Sequence, residues 1–486
     1  MVDIPPEIWL NIARFLSNEE LMRCLSVNAL FFNLAMDLKY KEIWLRTHWT
    51  ADCTRMLRKL SHPFIAGRVQ RLSLFIQSAE DVISPGVGQS NSWTRLHRYL
   101  KRIIRPSKLL GSRTRPRPSQ IGNTNFADAT SRFVKCAPNL STIRDFGICA
   151  VFTPNSYDFG PIFTSIQTTF GAQLYILTLS GSGELYHALL ESGPSFPQLK
   201  ELRLDFYISL RDPPRPLTGD QVASLVNRLC LHLEVLVICS STAEVSSVFT
   251  QLSPLPSLVL LDIDMALHNL QDTLGLQKFL LQASYTLQTL NITGITSDTT
   301  SDSYWSSWFS NCRANPKFFS ELRTVNIDPT MLGTNISVLT DFIRHVSRTL
   351  QEFNLHQWPL STFDANLVIC ALSQCTKLTA LKLSLLTLTI TEFDQLADAL
   401  PNLQSLGLRV GNMLNHTQAL ESSSVFLQTL KDRSYADWKL EDLSIWQACC
   451  SVRGAEHNIM IAFSQSIPSL RSFFNAGHMD PPPSGY

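Results

Sequence analysis

Charge is scarce in this chain of 486 residues: Asp, Glu, Lys and Arg together make 17%, and the formal net charge is +1. That balance excludes a protein whose whole surface attracts polyanions, and 44% hydrophobic residues exclude a largely disordered chain. Long apolar runs are missing too. No uninterrupted stretch approaches the roughly 18 residues needed to span a bilayer, so no membrane partner is expected. The first residues include Asp3, Pro5, Pro6 and Glu7 where a secretory signal would place basic and then apolar residues. The Asn-x-Ser/Thr matches at Asn139, Asn291, Asn335 and Asn415 therefore read as chance. None of the eleven cysteines forms a C-x-x-C pair, and Cys449 and Cys450 are adjacent, so the set reads as small buried thiols in a reducing compartment. Phosphate-loop, H-E-x-x-H and G-x-G-x-x-G patterns are absent, and Gly181-Ser182-Gly183 lacks the strand–elbow–helix context of a nucleophilic serine. His232 and His356 read as packed or surface histidines. These absences predict a chain without catalytic residues, metal ligands or cofactor, in the cytoplasm, the nucleus or both.

What is present begins at residue 4. Pro6 suits the first turn of a helix, where a missing N–H costs nothing, and Glu7 complements the positive helix end. Ile8, Ile12, Phe15 and Leu16 follow at i, i+4, i+7, i+8, one apolar face of a short helix. Ser17 and Glu20 have capping-box spacing and open a second helix with Leu21, Cys24, Leu25 and Val27. Leu30, Phe31, Leu34 and Leu38 form a third cluster. Three such helices cannot bury that surface among themselves, which predicts a partner.

Over about the first forty-four residues the string resembles an F-box, the helical module by which many proteins dock on the Skp adaptor of a Skp–cullin–F-box ubiquitin ligase. Pro5, Pro6, Glu7, Ile8, Ile12, Phe15, Leu16, Leu21, Leu25, Val27 and Asn28 carry the match, with Phe31, Phe32, Tyr40, Ile43 and Trp44 after them. Ile4 stands where the family usually has Leu, Asn28 where many members have Cys, and a Glu where an Asp usually precedes the second helix's leucines. The resemblance implies that Pro5, Pro6, Glu7, Ile8, Ile12, Phe15, Leu16, Leu21, Leu25 and Val27 contact the adaptor, and cullin through it, while other subunits transfer ubiquitin.

A second pattern, an apolar residue with apolar positions at +3 and +5, starts at Val69-Leu72-Leu74. It returns at Leu174, Leu199, Leu233, Leu258, Leu287, Leu322, Leu350, Leu378, Leu403 and Leu440, with weaker copies at Leu140 and Leu470. Intervals of about 25 to 37 residues are close to and above those of leucine-rich repeats, which the chain resembles. Each copy predicts a turn and a strand with alternate residues inward. Helical stretches lie between copies, at Gln221–Leu229 with Thr218 as cap, at Val338–Ile343 and at Phe393–Ala397. The asparagine usual three residues after the strand is not regular, so the expected repeat is irregular.

The expected fold class is α/β: a short all-α F-box module at 1–48, a helical connector at 49–68, and a leucine-rich-repeat solenoid at 69–480, a curved parallel sheet with outer helices, then a tail at 481–486. It counts about twelve to thirteen repeats. A basic, flexible insertion at about 84–125 interrupts it; Val82 to Ala127 holds no acidic residue but carries Arg95, Arg98, Lys101, Arg102, Arg105, Lys108, Arg113, Arg115 and Arg117. Nuclear import, phosphate or nucleic-acid contact, docking on an acidic ligase component, and a solvated insertion without a partner are the open readings.

Residues between and after the strand leucines face away from the core and predict a target-binding band: Arg203, Asp205, Asp262, Asp264, Asn326, Asp328, Asn354, His356, Lys382, Arg409 and Trp446, with Asn291 and Thr293 among them. The leading expectation is a non-catalytic receptor that holds a target protein for ubiquitination. The alternatives are an F-box interaction scaffold outside any ligase and a nucleic-acid-associated factor using the insertion.

Overall fold

A computed structural model describes residues 5–46, 50–76, 126–150, 157–193, 195–206, 217–229, 232–240, 245–265, 270–293, 308–309, 311–312, 314–327, 336–412, 426, 428–447 and 455–473. The insertion at 84–125 and the tail at 481–486 lie outside them. The chain divides into two compact units, with the described residues up to Ser257 in one and those from Leu258 on in the other.

The first unit opens with three helices, α1 (Pro6–Phe15), α2 (Asn18–Arg23) and α3 (Ala29–Tyr40). Pro6 takes the first position of α1, as its fixed φ and missing N–H favour. Ser17 and Glu20 close the expected capping box on α2, and the Asn28 side chain accepts the Phe31 N–H at 2.9 Å to cap α3. Two further helices follow, α4 (Thr50–Leu60) and α5 (Pro63–Ala66).

Six parallel strands of the first unit lie side by side in chain order: β1 (Glu42–Arg46), β2 (Arg71–Phe75), β3 (Asp145–Ala150), β4 (Ile176–Gly181), β5 (Glu201–Phe206) and β6 (Val235–Ser240). The second unit repeats the scheme with β7 (Leu260–Met265), β8 (Thr289–Thr293), β9 (Thr324–Ile327), β10 (Glu352–Leu360), β11 (Ala380–Thr387), β12 (Ser405–Asn412), β13 (Asp442–Gln447) and β14 (Ser472–Phe473). Helices such as Gly219–Leu229 and Ile336–Val346 alternate with the strands, which makes each unit an α/β parallel repeat array.

The repeating leucines are its core. In the ten copies from Leu174 to Leu440, every first, fourth and sixth residue is buried except Ile445. One carbonyl before most strands accepts two N–H groups from the next copy, as Lys41 does from Gln70 and Arg71, and Gln351 from Thr379 and Ala380. This satisfies the turn that a buried loop would otherwise leave unpaired. In place of a regular asparagine, mixed side chains tie copies together. Thr142 donates to the Val69 carbonyl at 2.9 Å, Thr286 to Leu258 at 2.8 Å and Ser469 to Leu440 at 2.8 Å. Buried Tyr186 lies 2.9 Å from the carbonyls of both Leu179 and Asp205 and accepts the Asp205 N–H at 3.1 Å. The irregular sequence is met by irregular but equivalent bonds.

Two boundaries differ from the sequence reading. The sheet begins at Glu42, not near residue 69, because Tyr40, Ile43 and Leu45 are themselves a buried copy of the repeat; Ile43 and Leu45 pair in register with Leu72 and Leu74. Tyr40 hides this copy, since an aromatic ring fills the first apolar position. The weak copy expected from Leu140 is in register from Ile143, whose Phe146 and Ile148 align with Leu72 and Leu74.

Candidate protein-interaction surfaces

The first surface is built by α1 and α2, neither of which contains a buried residue. Both pack on α3. Trp9 meets Phe31 edge to face at 5.6 Å, and Trp9, Ala13 and Leu16, at i, i+4 and i+7, are the partly covered side of α1. The apolar stripe read from sequence is largely the other side. Ile8 is 48% exposed, Ile12 40% and Phe15 90%. Leu10 and Val27 add exposed apolar area, while Leu21 and Leu25 are half-buried and Pro5, Pro6 and Glu7 are exposed. Leu10 escaped the sequence reading because it falls off the i, i+4 stripe.

Helix α3 passes into β1 with only Lys41 between them. Arg68 fastens the same helix to the chain after α5: it donates to the Asn33 carbonyl at 3.2 Å and to Asn33 Oδ1 at 2.7 Å, pairs with Asp37, and lies over the Phe64 ring at 4.3 Å from its centroid. Helix α3, on which α1 and α2 pack, is thus held beside the first strands by side chains as well as by the main chain.

The second surface is the sheet face that carries the residues between the leucines. Register sorts the expected band into rows. In the second unit Asp262 pairs with Asn291, Asn291 with Asn326, Asn326 with Asn354, and Asn354 with Lys382, one residue from each of β7 to β11. Gly407 and Ser444 continue this row on β12 and β13. Asp264 aligns with Thr293, and Arg409 with Ser384 and Trp446, so Arg409 is not a neighbour of Lys382 in the same row. The single band expected from sequence is two rows in this unit. Asp328 and the side chains of His356 and Trp446 lie outside the described residues.

Arg203 and Asp205 belong to the first unit. Arg203 pairs with Glu201 on its own strand, and the Ser180 hydroxyl donates to Asp205 Oδ2 at 3.5 Å. Sequence reasoning missed the start of this face. Trp44 stacks on Phe75 at 5.3 Å, Arg46 lies 5.8 Å from the Phe75 centroid, and Arg71 bridges Glu42 and Asp145. Burial pushes the Asp145 carboxyl up from the usual carboxylate range; Arg71 opposes the rise, while Glu201 and Glu42 add to it. The sequence groups Trp44 with the helical module, whereas the structure places it on β1.

Among the described residues no group of three or more His, Cys, Asp or Glu is placed to hold a metal ion, and no helix is long and apolar enough to cross a membrane. Burial pushes the thiols of Cys136, Cys312 and Cys375 up to about 12, which leaves them un-ionised near neutral pH.

No family model matches the sequence, and a search of curated proteins finds no match. Among solved structures, the chain is similar at 12% identity to one in the crystal structure of the Rad7 and Elc1 complex in yeast, covering 82% of this chain and 85% of that one with a TM-score of 0.36. It is also similar at 12% identity to the leucine-rich repeat-containing protein LegL7 from Legionella pneumophila, covering 79% of this chain and 96% of that one with a TM-score of 0.37. A protein from Bacteroides fragilis is similar at 13% identity, covering 55% of this chain and 65% of that one with a TM-score of 0.30.

Proposed function

We propose that this chain is the substrate receptor of a Skp–cullin–F-box ubiquitin ligase, with α1 and α2 docking on a Skp-type adaptor and the sheet face holding a target protein. The observation that carries the reading is the absence of any buried residue in two helices whose apolar residues match the F-box pattern. A helical pair packed on α3 with Phe15 nine-tenths exposed has the surface of an interface, not of a finished core. Catalysis then lies with other subunits, and the receptor works in the cytoplasm, the nucleus or both.

The test is co-purification of the intact chain with adaptor and cullin under mild lysis. The triple variant Ile8→Ala, Ile12→Ala, Phe15→Ala should lose both while its circular dichroism is unchanged, since each side chain is exposed. Three apolar anchors at about 1.5 kcal/mol each place the loss at about a thousandfold. Adaptor without cullin would leave an interaction scaffold outside any ligase, and undiminished adaptor recovery by the triple variant would end the docking reading.

A further inference from the structure

The row Asp262, Asn291, Asn326, Asn354, Lys382 has a composition of its own: an acid at one end, three primary amides on consecutive strands, and a base at the other. A primary amide carries both a carbonyl acceptor and N–H donors, the same pair of groups that a peptide backbone presents. Carboxylates or ammonium groups in those three places would offer only one kind. Asn291 donates one amide hydrogen to Asp262 Oδ2 at 3.2 Å, which orients both, and its Oδ1 still offers an acceptor. At the far end Lys382 is exposed, and Gly407 follows it in the row. A Cβ at residue 407 would come within 3.0 Å of Lys382 Cγ, so the glycine gives the lysine stem room along the sheet.

Four strand spacings of about 4.8 Å separate Asp262 from Lys382, about 19 Å in all, and an extended chain at about 3.3 Å per residue crosses that span in about six residues. We propose that this row binds an extended peptide segment of the target, with a Lys or Arg at Asp262, an Asp or Glu about six residues away at Lys382, and the peptide backbone hydrogen-bonded to the asparagines between them. The proposal rests on the reading that this sheet face holds the target, and it names the chemistry of the segment held. Charge fixes the register of the segment, and the amides accept any sequence between its charged ends.

The probes are synthetic peptides of Ser and Thr carrying one Lys and one Glu at increasing separations, titrated by fluorescence anisotropy against the full chain. Affinity should peak at a separation of about six residues, roughly tenfold above the shortest peptide. Asp262→Lys should move the preference to Glu/Glu peptides of the same separation, a gain that misfolding cannot produce. Asn326→Leu should weaken every peptide and leave the optimum in place. Affinity independent of separation, or an Asp262→Lys variant that weakens all peptides without gaining the Glu/Glu set, overturns the proposal. Adaptor recovery from the same preparations keeps the two readings apart. Adaptor retained without a spacing optimum removes only this inference, and adaptor absent beside a clear optimum removes only the docking reading.

Discussion

The helical entrance and the repeats use the same apolar residue types to opposite ends. Phe15 and Ile8 on α1 face solvent, whereas Leu381 and Leu383 on β11 are buried to within 1%. The difference lies in what stacks on each. A repeat strand is covered on its inner side by the helices between strands and on both edges by neighbouring copies, so its leucines bury without help. Helices α1 and α2 pack on α3, and one side of α1 stays open. Apolar surface left over beside so complete a core fits the docking role proposed for these helices.

The sharpest way to break the comparison is to truncate one residue from each side. Leu381→Ala should cost about 2–5 kcal/mol of stability, measured by denaturant unfolding, because a cavity replaces a buried side chain. Phe15→Ala should stay within about 0.5 kcal/mol in the same experiment, since the ring is 90% exposed. Equal losses would mean that the α1 surface belongs to the core after all.

An intermediate effect tests how firmly the open helices are held. Arg68→Ala removes the bonds to Asn33, the pair with Asp37 and the contact with the Phe64 ring. Amide exchange in α3 should rise by an amount equivalent to about 1–3 kcal/mol, while exchange in β7 to β14 is unchanged. A uniform rise across both units would show that α3 and the sheet open together instead of separately.

The smallest effect is a pH dependence in the first strands. Burial raises the Asp145 pKa in the folded chain, so the folded state binds this proton more tightly than the unfolded one. Its contribution therefore favours folding below the unfolded carboxylate range and diminishes as pH rises through the raised folded value. Asp145→Asn should flatten that portion of the stability–pH curve, with the greatest gain relative to wild type above the raised value. A steeper curve would show that the Arg71 pair outweighs the burial.

Much of this architecture was legible beforehand because its signal repeats. A spacing of +3 and +5 recurring ten times from Leu174 needs no single copy to be strong, and the capping box at Ser17 and Glu20 is a local device that tertiary packing left alone. Where one residue departed from the pattern, as Tyr40 does, the copy was missed and the edge of the sheet misplaced. The outward-facing residues were legible as a set but not as an arrangement. Asp262 and Lys382, Asp264 and Arg409 were all read as outward-facing, yet only the pairing register shows which of them share a row.

By itself, then, the order of amino acids determined the repeating unit, its inward leucines and the apolar excess of the first helices, since all of these rest on spacing along one chain. Tertiary structure alone decided which side of α1 remains open, that the sheet starts at Glu42, and that three asparagines from β8, β9 and β10 stand between an aspartate and a lysine. Those outcomes depend on contacts between residues about 25 to 35 positions apart, the length of one repeat, and no periodicity within a copy specifies them.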